Sequence, residues 1–159
     1  MSTQALTQNR FSANSQAAFV TLHPDLQTLM LAVLAVHDCS LIQGHRTRAQ
    51  HEELLTRVPA VTTVGYHQTM HRFYPSLAID AIPYIPGRDQ WDHQQILYFI
   101  GVVVGIASQL FEQGAMTHRI RVGADWDQDN DISQADTTFF DGPHIELVNA
   151  EDGVEDMSR

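Results

Sequence analysis

Leu77-Ala78-Ile79-Asp80-Ala81-Ile82-Pro83 is the stretch on which the fold turns. It is short, apolar and alternating, and it stops at a proline, as a strand does. Successive strand side chains point to opposite faces, so Asp80 can look into a cleft while Ile79 packs inward. A carboxylate in such a strand needs partners, and His144-Ile145-Glu146-Leu147-Val148 predicts a second strand that begins with an imidazole. Asp141-Gly142-Pro143 comes just before it. A tight turn at Gly142-Pro143 would bring Asp141 and His144 to one spot.

Working outward, Cys39 to Gln43 is apolar enough for a buried strand, and Ile120 to Gly123 is a further candidate. Pro24 suits the first turn of a helix, and Leu26, Leu29, Met30, Val33 and Leu34 recur at helical spacing up to about His37. A second helix is expected from near Thr47 to Leu55, and a long one from Trp91 to Glu112 with Gly114 ending it. Val58 to Met70 reads as a surface loop. Helices and short strands without a βαβ repeat predict an α+β domain, a small, mostly antiparallel sheet packed against helices. Residues 1–20 read as a loosely ordered segment, 21–148 as one domain and 149–159 as a flexible acidic tail.

Composition narrows the function. The chain has 159 residues, one cysteine, and a formal charge of −10 from 9 basic and 19 acidic residues. That balance argues against nucleic-acid binding, which needs cationic groups for the phosphates. Cys39 is expected in a buried strand rather than as a nucleophile. The N-terminus lacks the basic start and apolar run of a secretory signal, so a cytoplasmic protein is expected. Ile96 to Ala107 spans 12 apolar residues, short of the roughly 20 a membrane span needs, and reads as a buried core helix. No membrane insertion is expected, and a monomer is.

Among the nine histidines, His23, His37, His51, His93 and His118 have polar neighbours and read as exposed or simply hydrogen-bonded. His71 and His144 stand near predicted strands that bear carboxylates. Two imidazoles and Asp80 make a plausible catalytic zinc set, because three protein ligands leave a fourth position open.

Thr69-Met70-His71, Ser76-Leu77-Ala78-Ile79-Asp80 and Asp141-Gly142-Pro143-His144 together resemble the two metal motifs of the D-alanyl-D-alanine carboxypeptidase family. That family includes the vancomycin-resistance D,D-peptidases and the phage L-alanyl-D-glutamate endolysins. Gln43-Gly44-His45-Arg46-Thr47 is similar to the turn where the family places an arginine, and Gly123-Ala124-Asp125-Trp126 to the strand before the second motif. The likeness spans residues 40–148 and is nearest to the endolysins.

The resemblance implies a hedgehog/D,D-peptidase-like fold with zinc at the strand ends. His71, Asp80 and His144 would bind the ion. Asp141 would be the general base that takes a proton from the attacking water and later protonates the leaving amine. Arg46 would stabilise the oxyanion. Trp126 is expected in the core. The substrate implied is the stem peptide of bacterial peptidoglycan, cut at L-Ala–D-Glu for host lysis once the membrane is permeable. A D,D-carboxypeptidase or dipeptidase, or a non-catalytic binder of metal or wall peptide, are the alternatives. Thr69 stands where the family has Ser, and Ser76 where it has Gly. Eight residues separate His71 from Asp80, so the segment Arg72 to Pro75 is expected to bulge outward, and His67 competes with His71 as ligand.

Asp125, Asp127, Asp129, Asp131, Ser133 and Asp136 fall at places 1, 3, 5, 7, 9 and 12 of an EF-hand-like loop. Calcium is therefore a candidate regulatory ligand, with Asn130 in place of the usual glycine.

Overall fold

In the computed structural model, which describes residues 8–132 and 140–159, four helices and six strands surround one core. The helices are α1 (Ala13–Phe19), α2 (Pro24–Val36), α3 (Arg48–Thr56) and α4 (His93–Glu112). The strands are β1 (Cys39–Gln43), β2 (Phe73–Tyr74), β3 (Ala78–Pro83), β4 (Ile120–Val122), β5 (His144–Leu147) and β6 (Glu155–Asp156). The main sheet runs β1-β3-β5-β4 with every pair antiparallel. The expected α+β architecture and small antiparallel sheet are what the chain adopts.

Local chemistry explains the element ends. Pro24 opens α2, and the His23 ring accepts the Asp25 N–H at 3.1 Å. Thr47 and Gln50 form a reciprocal capping box on α3. Asp92 caps α4, which begins two residues later than expected. Gly114 ends that helix region with φ at +73°, a conformation glycine adopts without penalty.

The core lies between the sheet and the α2–α4 pair. Leu26, Leu29, Met30 and Val33 of α2 meet Phe99 and Val103 of α4, and Ile79, Ile82 and Ile145 come up from the sheet, all buried. The helix expected in the core packs there through one side. Ile96, Phe99, Ile100, Val103 and Ala107 face the core, while Tyr98 and Val104 are exposed. Cys39 is buried as expected, and burial, with the Asp38 charge, pushes its thiol up to about 12.

Both ends of the chain depart from expectation. The segment expected to be loose contains α1, capped by Ser12 and packed on β1. Its anchor is polar: Ser15 is buried, and its hydroxyl accepts the Leu41 N–H at 3.0 Å. The acidic tail supplies β6, which pairs with β2. Asp156 there accepts from Arg72 Nε at 3.0 Å and from the Ser158 hydroxyl at 2.7 Å. The segment expected to bulge between His71 and Asp80 is thus the partner strand of the tail.

Replacing Ser15 by Ala leaves the Leu41 N–H buried without its acceptor, which costs about 1–3 kcal/mol. Chemical denaturation is expected to show that loss, and a variant as stable as wild type would mean α1 does not anchor β1.

Candidate metal centre

The β3–β5 register sets Asp80 directly opposite His144. The Asp80 side chain keeps 19% exposure, whereas Ile79 and Ala81 on either side have none, so the carboxylate is the one group of this stretch that looks out. His144 Nδ1 lies 3.1 Å from Asp80 Oδ1. His71 arrives from a different direction, on a 3₁₀ turn, Met70–Arg72, where the Thr69 hydroxyl accepts the His71 N–H. That hydroxyl is what the Thr-for-Ser departure preserves. His71 Nε2 lies 3.3 Å from the same Oδ1.

The two rings meet edge to face at 5.2 Å. The other nitrogen of each is fixed from behind. His71 Nδ1–H donates to the Gly44 carbonyl at 2.7 Å, and His144 Nε2 pairs with Glu146 Oε2 at 2.8 Å. An added Cβ at Gly44 would lie 2.3 Å from the Thr21 hydroxyl, so the turn that presents this carbonyl needs glycine. The Arg46 N–H returns a bond to the His71 carbonyl at 2.9 Å, locking the two turns together.

These three residues can hold a metal. One ligand atom of each lies within 4.8 Å of the others, and His71 Nε2 is buried without a hydrogen-bond partner. Two imidazoles and a carboxylate, each backed by an outer hydrogen bond or charge, are a donor set suited to zinc. His67, the competing ligand, is exposed and stands outside the cluster.

Asp141 and Arg46 complete the surroundings. The expected turn is present: the His144 N–H donates to the Asp141 carbonyl at 3.1 Å. Asp141 N–H bonds the Gly123 carbonyl at 3.0 Å, and a Cβ at Gly123 would sit 2.2 Å from the Asp141 oxygen, so only glycine lets the strands approach this closely. Burial, then the Asp80 charge, raise the Asp141 pKa above the usual carboxylate value, against the pull of His144, His71 and Arg46. Arg46 is buried, with Nη2 3.5 Å from Asp80 Oδ2 and Nε without a hydrogen-bond partner. Burial lowers its pKa while Asp80 and Asp141 raise it, and a guanidinium stays charged regardless. Burial alone would raise the Asp80 pKa, but the His71 charge and the His144 bond hold it far below the carboxylate range.

Two residues near the site were not assigned there from sequence. Glu146 is buried behind His144 and is held by Arg121, whose Nε donates to Oε1 at 2.9 Å. Its signal was the His-x-Glu spacing on a strand, which puts both side chains on one face. Trp126, expected in the core, is half-buried with its ring 5.4 Å from that of His144. In the acidic loop Asp125, Asp127 and Asp129 converge within 4.8 Å, and Asn130 takes φ +67° at the glycine place. Asp131 donates its N–H to Asp129 at 2.7 Å, while Ser133 and Asp136 lie outside the described residues.

A family model described as phage L-alanyl-D-glutamate peptidase matches residues 7–148. The crystal structure of the Serratia marcescens L-Ala D-Glu endopeptidase ChiX superposes with a TM-score of 0.62, covering 92% of this chain and 96% of that one. At 21% identity that likeness is one of fold. No curated protein sequence matches.

Without metal, burial would lower the His144 pKa, but the bonds and charges of Asp80 and Glu146 raise it to about 10. Because the folded value lies above the ordinary 6.5, this protonation stabilises the metal-free fold fully below 6.5 and ceases to as pH passes 10. At neutral pH a metal must therefore displace a proton. Calorimetric titration with zinc in buffers of different ionisation enthalpy is expected to show about one proton released per ion. No buffer dependence would contradict the protonated His144.

Proposed function

The chain belongs to the phage L-alanyl-D-glutamate peptidase family, and from that premise we propose that it is a zinc endopeptidase of bacterial peptidoglycan. The bond cut is L-Ala–D-Glu of the stem peptide. The observation that supports this best is the convergence of His71 Nε2 and His144 Nδ1 on one Asp80 oxygen, with a half-buried acid and a buried guanidinium in electrostatic reach.

His71, Asp80 and His144 would hold the zinc, which supplies Lewis acidity and makes water a nucleophile near neutral pH. Asp141, with its raised pKa, takes a proton from the attacking water and delivers it to the leaving amine. Arg46 directs its unspent Nε–H at the oxyanion that develops on the scissile carbonyl. The Trp126 ring and the Glu146–Arg121 pair hold the His144 imidazole in orientation. A purely binding relative would need neither the perturbed Asp141 nor the unspent Arg46 Nε–H.

A second proposal concerns the acidic loop. The converging carboxylates of Asp125, Asp127 and Asp129, and the backbone of Asn130, support calcium binding. Asp125 N–H bonds the Val122 carbonyl beside Gly123, whose own carbonyl holds the Asp141 N–H, so an ion there would bear on the catalytic turn. Calcium is expected to raise the melting temperature of the zinc-loaded protein and to lose that effect in Asp127→Asn/Asp129→Asn. Equal melting with and without calcium would remove the proposal.

For the peptidase itself, mass spectrometry of digested wall is expected to show new N-termini at D-Glu and no free D-alanine. Released D-alanine would make the enzyme a carboxypeptidase instead. Asp141→Asn is expected to keep its zinc and slow cleavage by roughly 100-fold or more. A variant cutting at the wild-type rate would strip Asp141 of its role.

A further inference from the structure

Arg46 is held less firmly than a buried guanidinium usually is. Asp80 touches it on one side at 3.5 Å, and its only other side-chain partner among the described residues is His51, whose Nδ1 lies 3.4 Å from Nη1. His51 is the one buried residue of α3, and it is wholly inaccessible. An imidazole without solvent on a helix that is otherwise exposed or half-buried calls for a reason other than packing.

The ring's second contact fixes its chemistry. His51 Nε2 lies 2.8 Å from the Val64 carbonyl, and a carbonyl only accepts. The proton therefore sits on Nε2, and Nδ1 offers a lone pair to the guanidinium. A doubly protonated ring would set an N–H against the Arg46 donors. The same patch holds the arginine backbone: Tyr66, its ring 5.6 Å from that of His51, donates its hydroxyl to the Arg46 carbonyl at 2.9 Å.

We propose that His51 is a positioning residue for Arg46. Its neutral Nε2–H tautomer engages Nη1, Asp80 engages Nη2, and Nε–H is left unspent for the developing oxyanion. This rests on the oxyanion role given to Arg46 above. It also explains why the loop around Val64 and Tyr66 closes over α3, since that loop sets the tautomer.

Two substitutions separate the halves of the contact. Asn approximates the Nδ1 end of the ring and can offer Arg46 an acceptor, whereas Gln reaches towards Val64 and leaves Arg46 without one. His51→Gln is expected to lower kcat by roughly 10- to 100-fold, the scale of a small misplacement of a catalytic group. KM and zinc content are expected to stay near wild type, and His51→Asn to retain more turnover than His51→Gln. In an Arg46→Ala background His51→Gln is expected to cost nothing further. The same factor lost in both backgrounds, or losses that follow melting temperature alone, would overturn the proposal.

The imidazole nitrogen resonances of the zinc-loaded protein decide the arrangement without turnover. A neutral ring protonated at Nε2 is expected for His51, and one protonated at Nδ1 overturns it. Wild-type protein that leaves wall peptide intact would sink the function proposed above but would not alter that tautomer.

Discussion

Asp80 occupies the position on which the site depends, because one of its oxygens is the meeting point of both imidazoles. The β3–β5 pairing supplies His144 from directly across the sheet, and the turn at Gly44 supplies His71 from the side. A one-residue slip of β3 would turn Asp80 into the core and Ile79 to the cleft, so the apolar packing of Ile79, Ile82 and Ile145 also enforces the ligand register. Without an ion, the three groups satisfy one another partly as an ion-paired cluster. His71 Nε2 is still left without a hydrogen bond, a cost that a metal removes.

Around that point the chain uses backbone more than side chains for precision. The Gly44 carbonyl sets one imidazole, the Asp141–His144 turn sets the other, and Gly123 lets two strands approach until Asp141 shares its backbone bonds. Buried charge is balanced in steps outward from Asp80: Arg46 on one side, and Glu146 with Arg121 behind His144 on the other. Each buried ionic group thus has a partner of opposite sign, the condition for tolerating charge in a low-dielectric interior.

What the sequence made legible follows from the kind of signal each part leaves. β3, β5 and α2 bury regular apolar patterns, and their residues could be placed before any coordinates. Asp141 and His144 were legible as a pair because a Gly-Pro turn joins them, and Asp80 as a cleft-facing carboxylate because a strand has period two, whereas the meeting of Asp80 with His144 is long-range. Residue types alone made His71, Asp80 and His144 a plausible set, and the family resemblance made it specific, since no local rule predicts that a 3₁₀ turn will deliver His71. α1 was missed because its anchor is a serine hydroxyl, and β6 because an acidic tail reads as solvated. Trp126 was expected in the core and is half-buried, and the partners of His51, expected to be exposed or hydrogen-bonded, were not foreseen. Trp126 meets His144 only through the long-range fold, and His51, though close to Arg46 in sequence, is oriented by the Val64 carbonyl of a separate loop.

The central claim is that His71, Asp80 and His144 together form a zinc site, and X-ray absorption spectroscopy of the zinc-loaded protein tests it most directly. The account expects two imidazole nitrogens at about 2.0–2.1 Å with the remaining ligands oxygen, and the loss of one imidazole from the spectrum in His71→Ala. An all-oxygen shell, or a spectrum unchanged by that substitution, would contradict it.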